Sequence, residues 1–157
     1  MKTFKQYICE NNQFLTNKDD IDHWLFDHDV DGYTINDDLT VDVDGNVDLY
    51  NKNLTSIPVQ FKNVDGDFYC SYNRLTSLVG CPTTVGGGSF YCFGNQIFDP
   101  LNILKIKQVK YCYIDNNQVQ QIINKYLQLY PNDNQIRQRY LLAKQELIEN
   151  GLEQYTK

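Results

Sequence analysis

The 157-residue chain contains no run of about 18 apolar residues, so no segment of it reads as a membrane-crossing helix. Its first ten residues lack the roughly 7–15-residue apolar stretch of a secretory signal, and synthesis in a cytosol is the expectation. Cysteine is present five times, at Cys9, Cys70, Cys81, Cys92 and Cys112, but never as Cys-x-x-Cys or among histidines at zinc spacing. An odd count in a cytosol predicts reduced thiols, not a disulfide framework. Histidine is scarce: only His23 and His28, both in an acidic N-terminal stretch. No Gly-x-Ser-x-Gly, Walker, dinucleotide or zinc-protease pattern occurs. Gly86-Gly87-Gly88 precedes an expected strand, so it lacks the helix N-terminus of a phosphate-binding loop. These absences point away from catalysis, and the chain is expected not to be an enzyme.

Charge is divided unevenly. Residues 1–67 hold 14 acids and 5 bases, a net of −9, and residues 68–157 hold 6 acids and 9 bases, a net of +3. An acidic half does not suit a phosphate backbone, so no nucleic-acid partner is expected. It suits a soluble acidic surface, a basic partner, or mimicry of a phosphate backbone.

What the sequence does hold is a repeat. Four segments align: Val47 to Ile57, Phe68 to Leu78, Phe90 to Pro100 and Cys112 to Ile122. They follow the pattern φ-x-φ-x-x-N-x-φ-x-x-φ, where φ is apolar, at offsets of 21, 22 and 22 residues. Two apolar residues two apart point inward from a short strand, and the later ones close the coil over the same core. The Asn (Asn73, Asn95 and Asn117) satisfies backbone groups where the chain bends inward. Lys52 replaces it in the first unit, which marks a capping coil, and Pro100 predicts an altered return path in the third. Turn formers separate the units: Asp44-Gly45-Asn46, Asp65-Gly66-Asp67 and the triple glycine. Cys70 and Cys92 fall on equivalent inward sites and read as small core hydrophobes.

This pattern resembles the leucine-rich repeat, whose period is about 20–29 residues. The resemblance covers residues 47–122 and implies an α+β fold: a short β solenoid of about four coils capped by N- and C-terminal helices. The flanks supply caps. Residues 18–28 read as a helix with Ile21, Trp24 and Leu25 on one face, and residues 33–43 as a hairpin or strand. Residues 134–150 read as a helix stopped by Gly151. The expected organisation is a leader and N-terminal helix over 1–16, a helical and hairpin cap over 17–46, the solenoid over 47–122 and a helical cap over 123–157.

Residues between the inward ones face outward. Tyr69, Tyr91 and Tyr113 are predicted to stack in one column, with Tyr50, Phe93 and Tyr111 beside it. Such a strip is either a protein-binding surface or a ladder that stiffens the sheet. A second candidate is calcium. Asp27, Asp29, Asp31 and Asp38 with Gly32 follow the spacing Asp-x-Asp-x-Asp-Gly-x5-Asp, which resembles an EF-hand loop. It departs in its short twelfth ligand, in Thr34, and in being followed by strand pattern, so no cofactor is the main expectation and calcium the alternative.

Residues 1–10, Met-Lys-Thr-Phe-Lys-Gln-Tyr-Ile-Cys-Glu, resemble the capsid-targeting leader of internal head proteins in T-even-like tailed phages. Phe4, Tyr7 and Ile8 form the apolar face of a short amphipathic helix. The resemblance implies cleavage after Ile8-Cys9-Glu10 and packaging in the phage head. Together with Tyr33 to Leu49 and Phe68 to Leu78, the leader also resembles uncharacterised repeat proteins of such phages. It implies a protein partner, from the host (a defence protein) or the phage, and action in the host cytoplasm. No membrane partner is expected, and an open solenoid end leaves room for self-association.

Overall fold

A computed structural model describes residues 14–156; the leader with Ile8, Cys9 and Glu10 lies outside them. Asn17 opens the first helix, α1 (Lys18–Asp27), by accepting the Asp20 amide at 2.8 Å, and Asp19 and Asp20 sit in its positive first turn. Ile21 and Leu25 are buried one turn apart, while Trp24 is half-buried. The hairpin β1 (Tyr33–Ile35) and β2 (Thr40–Val43) follows, paired antiparallel.

From β2 onward the chain winds as a β solenoid of about four coils. Each of the first three coils contributes a strand to each of two sheets. Sheet A has the order β1-β2-β4-β6, with β4 (Gln60–Val64) and β6 (Thr84–Val85) parallel to β2. Sheet B has the order β3-β5-β7-β8, all parallel: β3 (Val47–Asp48), β5 (Phe68–Tyr69), β7 (Ser89–Tyr91) and β8 (Tyr111–Tyr113).

The Asp-Gly turns are the corners between the sheets. A Cβ on Gly66 would lie 2.6 Å from the Gly45 carbonyl carbon, and one on Gly87 2.6 Å from that of Gly66. Consecutive corners touch backbone to backbone, which only glycine allows. Asn46 takes the Asp67 amide at 2.8 Å and Asp67 takes the Ser89 amide at 2.9 Å, so the corners are also bonded to one another.

Between the sheets lies the core. Phe61 of sheet A meets Phe68 of sheet B edge-on at 5.4 Å, and Phe68 stacks on Phe90 at 5.5 Å. A register shift between β2 and β4 turns both Phe61 and Val64 inward although they are three apart. Cys70 and Cys92 fill equivalent inward sites in successive coils, Cys112 takes the inward place that Phe68 and Phe90 hold in the coils before it, and Cys81 is also buried.

At the C-terminal end a 3-10 segment (Pro100–Lys105) replaces the return path, and sheet A is continued only by a bridge from Thr84 to Gln108. Two helices close the end: α2 (Asn117–Leu129) and α3 (Ile136–Glu149). Here the structure departs from the expected boundary at residue 122. Asn116 accepts the Val119 amide at 3.0 Å, a helix N-cap, and the chain turns helical at Asn117. Asn117 is therefore an exposed first-turn residue and not a repeat asparagine. The edge of β8 is satisfied instead by α2 side chains: Asn124 takes the Cys112 amide at 2.7 Å and donates to its carbonyl at 2.9 Å, and Gln120 takes the Ile114 amide at 2.9 Å. Gly151, with φ 72°, ends α3, and the Leu152 amide reaches back to the Leu147 carbonyl at 2.8 Å.

Candidate functional site

The site is built on the outward face of sheet B. Parallel registry places Tyr69 beside Tyr91 and Tyr91 beside Tyr113. Their rings stack at 4.7 Å and 4.5 Å, within 8° of parallel. The spacing follows from the strand separation, which holds successive outward side chains at the distance at which rings touch. Each such pair contributes about 0.5–1.5 kcal/mol beyond its buried area.

Beside this column stands a second cluster. Tyr72 bridges Tyr50 and Phe93 with edge-on contacts at 5.4 Å and 5.2 Å. Sequence pattern places Tyr50 and Phe93 correctly on the face but misses Tyr72, because its position in the repeat is a bend. Asn51, Tyr72 and Gly94 are equivalent residues of three coils, and all have positive φ: 53°, 55° and 69°. A bulky residue pays about 1 kcal/mol or more to stand there. The left-handed bend turns the Tyr72 ring onto the sheet face, and a Cβ on Gly94 would lie 2.8 Å from that ring. The repeated positive-φ position is a signal only a structure supplies. Tyr111 lies across from Ser89 in the ladder, so it extends the face without joining a stack.

Tyr50, Tyr72, Tyr111 and Tyr113 are the most open of the set, at 49%, 52%, 44% and 36% of full exposure. Tyr69 donates to Asp67 at 3.3 Å, and burial, then the nearby Asp67 carboxylate, pushes its hydroxyl pKa up. The hydroxyls of Tyr50, Tyr72, Tyr91, Tyr111 and Tyr113 bond to none of the described residues. The face is thus apolar in its middle, lined with free hydroxyls, and edged by Asp48, Asp67 and Asp115.

Two repeat asparagines hold the bend behind this face. Asn73 donates to the Leu49 and Cys70 carbonyls at 2.7 Å and 3.0 Å, and takes the Leu54 amide at 2.9 Å. Asn95 donates to Cys70 and Cys92 at 2.9 Å and 3.0 Å, and takes the Leu75 amide at 3.0 Å. Each asparagine ties its coil to the one before. The first coil has no predecessor, and its Lys52 turns outward to Asp29 at 2.7 Å.

The acidic residues of the EF-like spacing are not brought together. Asp27 ends α1, Asp29 pairs with Lys52, which holds its carboxyl below the usual range, and Asp38 accepts the Thr40 amide and hydroxyl in the hairpin turn. A hairpin stands where an EF-hand would have its second helix, so Asp38 is tied into a turn. No group of three or more His, Cys, Asp or Glu side chains is arranged to hold a metal among the described residues.

The histidine rings face their own helix backbone. His23 Nδ1 meets the Asp19 carbonyl at 2.9 Å, and His28 Nδ1 meets that of Trp24 at 2.7 Å while its ring stacks on Trp24. The four described cysteines are buried. A hydrogen bond with Cys81 and burial hold the Cys70 thiol protonated, and burial pushes Cys112 up to about 12. Sequence reasoning also misses Arg139. It is 1% exposed, and its guanidinium donates to the carbonyls of Leu104, Tyr130 and Ile106. It clamps the 3-10 segment to the end of α2, a structural role.

No helix among the described residues is long and apolar enough to cross a membrane. No model of a known protein family matches the chain, and no curated protein or solved structure matches it significantly.

Proposed function

We propose that this protein is a non-enzymatic protein-binding module whose contact surface is the aromatic face of sheet B. The observation that carries the reading is the seven-ring face itself. Tyr69, Tyr91 and Tyr113 are stacked, Tyr50, Tyr72 and Phe93 interlock, and Tyr111 extends the rim. Rigid aromatic side chains pre-placed by a sheet lose little entropy on binding, and aromatics are enriched at the centres of interfaces. A tyrosine column built only to stiffen the sheet does not require a tyrosine at the bend, where the equivalent residues are Asn51 and Gly94.

The leader resemblance supplies the biological setting of the proposal. The protein is packaged in a tailed-phage head through residues 1–10, delivered with the DNA, and engages a host defence protein in the host cytoplasm. The leucine-rich-repeat likeness belongs to the same reading. Replacing Tyr91, the middle ring of the column, with alanine tests it. Affinity for the partner should fall by about 2 kcal/mol or more while folding stability falls by much less. Equal losses in both would identify a stiffening ladder.

A virion or prohead component that uses the same face on a phage protein is the second reading. The regular 4.5–4.7 Å ring spacing suits it, since it matches the repeat of any facing sheet. Quantitative mass spectrometry of purified virions separates the two by copy number.

A further inference from the structure

The repeat breaks at one place, and the break leaves backbone groups open. In the first coil the Leu54 amide is taken by Asn73 at 2.9 Å, and its carbonyl by the Arg74 amide at 2.8 Å. In the second, Leu75 has the same two bonds: its amide donates to Asn95 at 3.0 Å, and its carbonyl accepts the Gln96 amide at 2.8 Å. Ile97 is the equivalent residue of the third coil. Its bonds would come from Asn117 and Gln118, but the chain has already turned into α2, and neither the Ile97 amide nor its carbonyl is bonded to a described residue.

A cavity of about 230 Å³ lies at this spot. Ile97, Pro100 and Ile114 give it apolar walls, and Asp115, Asn116 and Tyr155 give it a polar rim. Tyr155 accepts from Asn116 at 3.2 Å, which holds the C-terminal turn at the far side of the opening. Asp115 also takes the Gly94 amide at 2.7 Å, so the cavity adjoins the Phe93 end of the aromatic face.

We infer that this cavity is a binding site for a carboxamide side chain followed two residues later by an aliphatic one, an Asn-x-Leu type segment of a protein partner. The internal coils define the chemistry. The carboxamide oxygen takes the Ile97 amide, as Asn73 and Asn95 take those of Leu54 and Leu75. The next backbone N–H of the segment donates to the Ile97 carbonyl, and the aliphatic side chain enters between Ile97, Pro100 and Ile114. A second copy of this chain does not supply the segment from its first coil, because Lys52 stands where the asparagine would be and pairs with Asp29. The site is independent of the tyrosine column, and a partner that spans both gains from their proximity.

The test uses the isotope-labelled full chain and an acetylated octapeptide copying residues 71–78, Ser-Tyr-Asn-Arg-Leu-Thr-Ser-Leu. Its control is the same peptide carrying Asn73→Leu. Because the change is in the peptide, the folding of the protein is not at issue. The inference predicts saturable amide shifts at Gln96, Ile97 and Asp115, slowed hydrogen exchange at Ile97, and binding of the control peptide at least about tenfold weaker, or ~1.4 kcal/mol. The Tyr69/Tyr91/Tyr113 triple-alanine protein, once shown to be folded, binds the octapeptide as the wild type does. This arm separates the inference from the proposed role of the aromatic face. Absence of saturation at millimolar peptide, equal binding of both peptides, or loss of binding in the triple variant would each overturn it.

Discussion

Sheets A and B are wound from the same coils, and their inward residues are alike: Val41, Phe61 and Val85 on one side, Val47, Phe68 and Phe90 on the other. Outward they differ. Sheet A closes its polar groups on itself. Asp42 takes both the Asn63 amide at 3.0 Å and its side chain at 2.8 Å, and also takes Asn36 at 3.1 Å, while Gln60 donates to the Cys81 carbonyl at 3.0 Å. Sheet B presents rings and free hydroxyls. A coil folds through its inward residues, its corner glycines and its bend asparagine, so its outward strand positions are available for other uses. On sheet A they are spent on neighbours, and on sheet B they remain open to a partner.

The comparison breaks entirely if the shared core is removed. Phe68→Ala takes away the ring that links Phe61 to Phe90 and should cost about 3–5 kcal/mol, read by chemical denaturation. Both sheets should be lost in one transition. The repeat itself gives the next effect. Asn73→Ala leaves the buried Leu49 and Cys70 carbonyls and the Leu54 amide with a donor or acceptor fewer, at about 2–3 kcal/mol, whereas Asn117→Ala should stay within about 0.5 kcal/mol. A tie between the two would refute the placement of the fourth coil.

Tyr72→Gly sharpens the contrast between folding and binding. It removes a half-exposed ring but relieves a positive φ, so stability should change by about 1 kcal/mol or less while partner affinity drops. The smallest effect lies away from both faces, where α2 meets α3. Hydrogen bonds from Lys125 and Tyr126 hold the Glu146 pKa below its ordinary 4.5. A lowered folded value stabilises above pH 4.5, and that stabilisation is lost as pH falls through it. Melting of Glu146→Gln should therefore vary less with pH on the acid side than melting of the wild type.

The inward half of the fold was legible because burial imposes a period on the sequence. Strand alternation gave the coil offsets, Asn73 and Asn95, the inward cysteines and the tyrosine column. Beyond the hairpin, the strands of sheet A were hidden, since Gln60–Val64 and Thr84–Val85 fall outside the repeated motif and a register shift breaks the alternation of the first. Asn117 misled because Asn116-Asn117 satisfies two patterns at once, and a helix cap won over a repeat turn when no further coil followed to bond with. Tyr72 was missed because its place on the face depends on a backbone angle, not on spacing. The EF-like acids matched a motif in one dimension, but the hairpin spent them on a turn and an ion pair.

The most direct test of the central claim is a pull-down from host lysate. Wild type is compared with a Tyr69/Tyr91/Tyr113 triple-alanine variant that melts cooperatively, and retained proteins are identified by mass spectrometry. A discrete protein should be retained by the wild type and lost by the variant. Identical recoveries from the two would contradict the claim and leave the tyrosine column as a stiffener of the sheet.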